Sequence, residues 1–349
     1  SELAVGTMQE MRSRKPVKGD SGNRFIWANY TPWYAFRAMG KDAQQIFKGL
    51  MQGQAKLART SHDTIAFTEK TYKPEEAKNW EQKIHTIELS SGETIRMTTA
   101  QIMSFWCLSN RQQGVGHLTA GGIRIGTIRD ENFRRAAQNQ RDIVQKEHFV
   151  LTLDDIAAIN GLLTDRQRTV ARELQQYMQS VGGRLGNEIS MARWDFMQFT
   201  EDGYFPIQTD DATRDAKNPG QDKTNLWALL NKSFTKSLTP NAKNAVIVNS
   251  IFDVFADHMT EMAEYNAFAL PLVDAMKWFN YRQRQDLGDG QIADVGVQKS
   301  VRDTLGTAAV KYFVDLMTDL NSSQKAGRHE NILGQILSRT KAASVGWNL

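Results

Sequence analysis

The chain has 349 residues and a formal net charge of +4, from 43 Lys and Arg against 39 Asp and Glu. This length exceeds the usual size of a single hydrophobic core, so we expect two cooperating lobes. The small positive charge is only weak evidence for a nucleic-acid partner. Cys107 is the only cysteine, which excludes an internal disulfide and any zinc site built from several cysteines.

No signal peptide is visible in the first residues. The first residues lack the apolar core of a signal peptide, and no stretch approaches the roughly 20 apolar residues of a membrane span. The sequence begins at Ser1 without a methionine and stops at Leu349 in the apolar-rich phrase KAASVGWNL. We therefore expect an excerpt or processed fragment of a longer protein. The alternative is a complete protein that has lost a tag or its methionine.

Helical signals open the chain. Thr31 followed by Pro32 is typical of a helix start, because threonine caps a helix and proline suits its first turn. Gly40 is a natural end for that helix. Apolar residues at helical spacing between positions 43 and 50 predict the next helix, and Pro74 marks a break.

A β-hairpin is predicted at His85–Met97, HTIELSSGETIRM. Its apolar residues alternate and would share one face, while SSGE would form the turn. Further helices are predicted after Thr98 or Thr99, after the capping-box phrase Thr152–Asp155, and after Thr164. We expect the last of these helices to stop at Gly182 and Gly183, since paired glycines are typical of a helix end.

The helical period vanishes from Asp195 to Pro219, which indicates a long ordered loop or a second small sheet, with the polar stretch 210–223 as a mobile segment. A strong apolar stripe then runs from Ile251 to Tyr265 and predicts a helix that Pro271 should end or kink. Two final helices are expected at Val301–Leu320 and Asn331–Ala343.

We therefore predict a mainly α fold, an irregular multi-helix bundle of two lobes with a small β-hairpin. The expected segments are an N-terminal helical segment at 1–83, the hairpin at 84–97, a central helical lobe at 98–194, a loop region at 195–224 and a C-terminal helical lobe at 225–349.

Two histidines are candidates for chemistry. His258 and Glu261 lie three residues apart on a strong helix and would face one metal, although helical metal sites usually carry paired Glu-x-x-His motifs. We favour a core histidine and expect no structural metal and no cofactor. His117 lies in GVGHLTAGGIRIG, whose glycines would let backbone amides approach a phosphate. The spacing fits no known nucleotide fingerprint, and a flexible connector is the favoured alternative.

Other candidate residues have plain structural interpretations. Cys107 lies inside an apolar helix and is expected to be a core thiol rather than a nucleophile. Glu188, Glu201 and Asp202 would serve acid–base chemistry only if their environments set their pKa values apart. Capping and turn formation explain the same carboxylates, and Tyr204 is expected to anchor its loop on the core.

Basic and aromatic residues alternate near position 280, in a pattern suited to stacking on bases and contacting phosphates. A solvated helix face explains the same pattern. The candidate nucleic-acid-binding residues are Arg124, Arg129, Lys277, Trp278, Tyr281, Arg282 and Arg284.

Several phrases together resemble the helical accessory regions of the large polyvalent proteins of bacteriophages and integrative conjugative elements. They cover about half of the chain and are Met97–Ile123 (MTTAQIMSFWCLSNRQQGVGHLTAGGI), Leu163–Met178 (LTDRQRTVARELQQYM), Gly186–Met191 (GNEISM), Asp202–Ile207 (DGYFPI) and Ile251–Tyr281 (IFDVFADHMTEMAEYNAFALPLVDAMKWFNY). The resemblance implies long strings of domains, some with helicase, methylase, MuF-like or toxin modules, that travel with or protect mobile DNA. It implies no catalytic residues for this helical region.

Three functions follow as hypotheses. The leading one is a non-enzymatic interaction module of such a protein, virion-associated or in the bacterial cytoplasm, with protein partners or neighbouring domains and no membrane span. The second is a module that binds DNA or RNA. The third is a hydrolase or transferase with a site near His117, Glu188 and Tyr204.

Overall fold

A computed structural model describes residues 2–15, 32–126, 148–209, 244–286 and 292–321. Helices account for most of this part of the chain, so the mainly α prediction is confirmed. No helix among these residues is long and apolar enough to cross a membrane.

The described helices are α1 (Glu2–Ser13), α2 (Pro32–Ala38), α3 (Lys41–Thr71), α4 (Pro74–Gln82), α5 (Thr99–Ser109), α6 (Gln112–Ala120), α7 (Leu153–Gly161), α8 (Asp165–Tyr177), α9 (Gly183–Trp194), α10 (Ile251–Phe279), α11 (Val297–Leu305) and α12 (Thr307–Asn321). A π-helical turn, Met178–Gly182, joins α8 to α9. The strands are β1 (Ile84–Glu88), β2 (Thr94–Thr98), β3 (Ile123–Ile125), β4 (Gln208–Thr209), β5 (Val246–Val248), β6 (Arg282–Asp286) and β7 (Ile292–Gly296).

The chain divides into two compact units, each assembled from separate segments. Of the described residues, unit 1 takes those within Ser1–Thr60 and Glu264–Lys325, and unit 2 takes those within Ser61–Gln221 and Ser233–Ala263. This division agrees with two lobes but differs from the predicted segment boundaries. The reason is that α3 and α10 each contribute one part to each unit, so neither lobe is continuous in sequence.

Unit 1 is organised around an aromatic core. Trp278 on α10 lies 6.2 Å from Phe36 and 5.8 Å from Phe313, measured between ring centroids. The Trp278 indole N–H donates a hydrogen bond of 3.0 Å to the hydroxyl of Thr7 on α1. The Thr304 hydroxyl of α11 donates to the carbonyl of Met11, which ties α11 to α1. The polar atoms of Trp278 and Thr304 are therefore hydrogen-bonded although these side chains are buried.

The predicted hairpin lies in unit 2 and is confirmed. Strands β1 and β2 pair antiparallel with Ile84 opposite Thr98, and Gly92 in the turn has a φ of 80° that favours glycine. Thr98 then caps α5 through a capping box with Gln101. The predicted capping box at Thr152 and the predicted cap at Thr164 are also confirmed for α7 and α8, and Thr164 forms a capping box with Gln167.

A small three-stranded sheet also belongs to unit 2. Strand β5 lies in the centre, parallel to β3 and antiparallel to β4. The predicted loop region therefore contains a short strand, β4, after an irregular stretch. The predicted mobile stretch 210–223 and the helix expected at Asn331–Ala343 lie outside the described residues.

Two predicted helix boundaries were wrong, and the helix that Pro271 was expected to end or kink does not end there. The chain passes through Gly182 and Gly183 in helical conformation, because a π-helical turn carries α8 directly into α9. Pro271 lies inside α10, where burial of the flanking apolar turns outweighs the one backbone hydrogen bond that proline removes. The helix expected at Val301–Leu320 is instead two helices, divided at Gly306, whose φ is 91°.

Candidate functional site

Residues from all five of the quoted sequence phrases meet at one place in unit 2. We call this place the junction site and define it by Arg111, Gln175, Asn187, Tyr204 and His258. Arg111 precedes α6, Gln175 lies on α8, Asn187 on α9 and His258 on α10, while Tyr204 belongs to the irregular segment before β4. Arg111, Gln175, Asn187 and His258 each contact the irregular segment, so side chains from four helical regions hold it in place.

Side chains rather than regular structure fix the irregular segment. Asn187 holds the backbone of Phe199 at both ends: its amide donates to the Phe199 carbonyl, and its oxygen accepts from the Phe199 N–H, each at 2.9 Å. Gln175 donates to the carbonyl of Gly203 at 2.9 Å, and Gln179 accepts from the Gly203 N–H at 3.1 Å. The loop is therefore an ordered surface feature.

An ion pair closes the same segment from the α6 side. The Arg111 guanidinium binds the carboxylate of Glu201, and the Arg111 side chain is mostly buried whereas that of Glu201 is partly exposed. Charge-assisted bonds of this type are stronger than neutral ones. Arg111 therefore links the start of α6 to the loop that carries Tyr204.

The π-helical turn brings backbone against His258. A side chain added at Gly182 would place its Cβ 3.1 Å from His258 Nε2 and 3.6 Å from the sulfur of Met259. Glycine at position 182 thus allows α10 to approach the turn closely. Single π-turns inside helices are often found at functional sites, which marks this contact as a candidate.

Tyr204 and His258 are in ring contact, with centroids 5.3 Å apart. Burial raises the pKa of Tyr204 to about 12, with a further contribution from the negative charges of Glu201 and Glu261. Burial alone lowers the pKa of His258 to about 4. A general acid or base works best with a pKa near the operating pH. At neutral pH both groups stay uncharged, so the pair is poorly suited to proton transfer.

The metal interpretation of His258 gains no support from its surroundings. His258 is 6 % exposed and lies on the buried side of α10 with Phe255 and Met262, as a core histidine should. Within the described ranges, no three His, Cys, Asp or Glu side chains are grouped so that they could hold a metal ion.

The glycine-rich phrase around His117 is regular structure rather than a flexible connector: it is helical to Ala120, the helix stops at Gly121 as expected, and β3 follows. His117 is buried on α6, and Gly114 lies so close to the Leu108 carbonyl that an added Cβ would be 1.9 Å from its oxygen. Gly122 has a φ of 75°, and a Cβ added there would lie 2.3 Å from the carbonyl oxygen of Phe149. These glycines serve close backbone packing, which also explains why their spacing fits no nucleotide fingerprint.

The other two residues of the enzyme hypothesis have different settings. Glu188 lies on the outer side of α9 and forms an ion pair of 2.9 Å with Arg184. Tyr204 lies in the junction site, where it anchors its loop on the core. Cys107 is fully buried, burial raises the pKa of its thiol, and the thiol donates to the Ala171 carbonyl, as expected of a core cysteine.

The candidate nucleic-acid-binding residues have mixed settings. Lys277, Arg282 and Arg284 are exposed in unit 1, and Arg284 lies 3.8 Å from Asp294 across the β6–β7 hairpin. Trp278 is 4 % exposed and Tyr281 half-buried, with its hydroxyl donating to Gln283. In unit 2, Arg124 is exposed on β3. Arg129 lies outside the described residues.

One surface feature was missed by the sequence analysis. Four large apolar side chains at the end of α9 are exposed, and we call them the apolar tip: Met191 (40 %), Trp194 (37 %), Phe196 (53 %) and Met197 (60 %). Asp195 ends α9 in the left-handed conformation, with a φ of 61°, which turns the chain sharply between Trp194 and Phe196. The run of bulky apolar residues after α9 is visible in the sequence, but their exposure depends on the turn at Asp195.

Comparison with protein-family models, with curated proteins and with solved structures gives no match for this chain.

Proposed function

We propose that this chain is a non-enzymatic interaction module of a polyvalent protein from a bacteriophage or an integrative conjugative element. It would bind a protein partner or a neighbouring domain of the same polypeptide. The proposal takes its biological setting from the sequence phrases quoted above, all five of which contribute a residue to the junction site.

The apolar tip is the observation that carries the interaction role. Exposed apolar groups grouped in one place usually mark a binding surface, whereas scattered ones need no explanation. Trp, Phe and Met are also the residue types that are enriched at protein interfaces. The Arg193 guanidinium lies 4.4 Å from the centre of the Trp194 ring, so a cation accompanies the aromatic group.

The junction site supports the non-enzymatic half of the proposal. The pKa values of Tyr204 and His258 lie on opposite sides of neutrality, each displaced in the direction that suppresses its charged form. The same contacts hold the loop that follows the apolar tip. The geometry of the junction site therefore suits holding the apolar tip in a fixed position better than it suits catalysis.

Site-specific photo-cross-linking tests the interaction role. A photoreactive amino acid is placed at Phe196 in the parent polypeptide, and at the exposed Thr169 of α8 as a matched control. We expect cross-links to one defined protein or domain from position 196 and none from position 169. Equal labelling from both positions, or turnover of a substrate by the purified chain, would overturn the proposal.

The biological setting has its own test, which is the DNA that flanks the coding sequence. We expect the reading frame to continue into further domains and to lie among genes for virion assembly or conjugation. A reading frame that encodes this chain alone, among housekeeping genes, would remove the polyvalent setting and leave the surface to be explained separately.

A nucleic-acid-binding module is the second candidate. The exposure of Lys277, Arg282 and Arg284 in one unit favours it, because phosphate contacts need accessible cations. Trp278 is buried and is therefore not accessible to a base, so the nucleic-acid-binding candidate loses its strongest stacking residue.

A further inference from the structure

The irregular segment is held through its backbone, as receptors hold an extended peptide. Its residues 199–205, FTEDGYF, belong to no helix or strand. The side-chain amide of Asn187 bonds to both the C=O and the N–H of Phe199. An amide that pairs with both backbone groups of one residue takes the place of a neighbouring strand, which would otherwise satisfy them. This contact recognises main chain, so it does not depend on the side chain at position 199.

A second contact of this kind lies four residues further on. Gln175 of α8 donates to the C=O of Gly203, and Gln179 of the π-helical turn accepts from its N–H. The Gln179 amide also donates to the carboxylate of Asp202 at 3.2 Å. Gly203 has a φ of 64°, which favours glycine, and among the described residues an added Cβ would meet only Arg111 Cγ, at 3.9 Å. Backbone conformation rather than a clash therefore selects glycine here.

Side chains between and after these two contacts add specificity. Glu201 pairs with Arg111, whose side chain is 12 % exposed. Tyr204 packs on the ring of His258, and Phe205 is buried. The protein thus matches a carboxylate, a glycine two residues later, and the two aromatic residues that follow it. In peptide recognition, main-chain hydrogen bonds provide affinity and matched side chains provide specificity.

We propose that the three side-chain amides of Gln175, Gln179 and Asn187, here called the amide surface, bind an extended peptide of a partner protein. The peptide carries a carboxylate and, two residues later, glycine and two aromatic residues. Residues 199–205 are a built-in competitor that occupies the amide surface in the free chain. This inference goes beyond the role of the apolar tip, and its test uses a free peptide, so its failure would leave the cross-linking test of the tip unaffected.

The covalent connection sets how strongly the competitor acts. A segment joined to its own site by a short connection has an effective concentration of about millimolar, so the unmodified chain should bind a free peptide weakly. Weakening the contacts of the segment while leaving the amide surface intact should therefore raise the affinity for a peptide that keeps them. Glu201 and Asp202 suit this purpose, because the Glu201 side chain is 38 % exposed and Asp202 is exposed, so that truncation leaves no buried gap.

Fluorescence anisotropy with a labelled peptide tests the competition. The peptide is QFTEDGYFPI, residues 198–207, and the protein is the full chain with Glu201→Ala and Asp202→Ala. We expect saturable binding to this double variant, about tenfold or more tighter than to the unmodified chain, because an ion pair and a further hydrogen bond no longer hold the competitor. Equal affinity for the two proteins, or no binding by either, would overturn the proposal.

Matched changes locate the bound peptide. Asn187→Ala in the double variant should weaken binding by about tenfold or more, whereas Thr169→Ala, an exposed change on α8, should have no effect. The peptide QFTEDAYFPI, with alanine in place of glycine, should bind about five- to thirtyfold more weakly, since an L-residue is strained in the left-handed conformation. Circular dichroism should show the protein variants equally helical. Binding insensitive to the glycine change, which needs no altered protein, would also overturn the proposal.

Hydrogen exchange tests displacement in the unmodified chain, without any variant. With the free peptide in excess, we expect the amides of Phe199 and Gly203 to exchange faster, because the side chains that protect them now bind the peptide. Unchanged exchange at a concentration that saturates the anisotropy signal would contradict displacement. Sedimentation equilibrium should show a monomer. A dimer that the peptide dissociates would assign the amide surface to the exchanged segment of a second copy and overturn a separate partner.

Discussion

The ring of Tyr204 lies against the ring of His258, with centroids 5.3 Å apart, and on another side His258 approaches the π-helical turn at Gly182. The histidine is therefore a packing element between a loop and a helix turn. Burial opposes the charged form of His258, so a protonated imidazole would destabilise the packing around it. Acid should for that reason loosen the junction site before it affects exposed parts of unit 2.

The first prediction concerns pH. The pKa of His258 falls from its usual value of 6.5 to about 4 in the folded protein, so only the unfolded chain binds a proton between these values. Stability therefore falls as pH falls through this window, by up to about 3 kcal/mol from this residue. Denaturant unfolding of unit 2 at pH 7 and pH 4.5 should show His258→Leu to be less pH-dependent than the unmodified chain.

His62→Gln is the matched control, because His62 is an exposed histidine on α3. The pH profile of His62→Gln gives the background against which the effect of His258→Leu is compared. An identical pH profile for the unmodified chain and His258→Leu would show that His258 is not the group that makes the junction site acid-sensitive.

The second prediction compares two glycines of α9. A Cβ at Gly186 would lie 2.5 Å from the Phe199 ring and 2.7 Å from the Met262 methyl group, whereas one at Gly183 would be 3.6 Å from its nearest neighbour, the Phe199 carbonyl. Gly186→Ala should destabilise by about 1–3 kcal/mol through overpacking. Gly183→Ala should be neutral or stabilise by up to about 1 kcal/mol, since alanine favours helix. Thermal unfolding of both variants decides the matter; equal effects would contradict the close approach at Gly186.

The third prediction concerns Asp155, which joins the hairpin to α7. Burial opposes its charge, but hydrogen bonds from the backbone and side chains of Thr152 and Ser90 outweigh that effect and lower its pKa to about 2. Its contribution is therefore present above its usual pKa and is lost only as pH falls toward 2. Asp155→Ala should cost about 1–2 kcal/mol at pH 7, as lost helix caps do.

Asp165→Ala provides the comparison for Asp155, since Asp165 is a fully exposed residue in the first turn of α8. Its effect should stay within about 0.5 kcal/mol, as for most surface changes. Similar losses in chemical unfolding of the two variants would mean that the Ser90 and Thr152 contacts contribute little.

Local patterns accounted for much of the fold. The capping boxes at Thr98, Thr152 and Thr164 and the alternation of the hairpin depend only on residues a few positions apart, so they were predictable. The π-helical continuation through Gly182 was not, because the glycine signals a helix end unless His258, 76 positions later, packs against it. Helices through Pro271 and Gly182 both depend on tertiary contacts that outweigh local preference.

The candidate site divides in the same way. The sequence indicated a core role for His258 and an anchoring role for Tyr204, since both lie among apolar residues. It gave no sign that the two rings meet, because 54 positions separate them. Exposure of Phe196 and Met197 was also hidden, since an aromatic loop is equally consistent with burial until the Asp195 turn is known.

The last prediction separates packing from nucleic-acid binding in unit 1. Trp278→Leu removes the indole N–H that binds Thr7 and the ring that packs on Phe36 and Phe313, so unfolding should show a loss of about 3 kcal/mol or more. The triple change of Lys277, Arg282 and Arg284 to alanine alters only exposed groups and should leave stability nearly unchanged.

Filter-binding titrations of the triple variant with single- and double-stranded DNA and RNA at two salt concentrations then report on binding itself. If these cations contact phosphates, the triple variant should bind all sequences more weakly to a similar degree and lose about one unit of salt slope per contact. Unchanged affinity in the triple variant, or no binding by the unmodified chain at low salt, would exclude this surface as a nucleic-acid site.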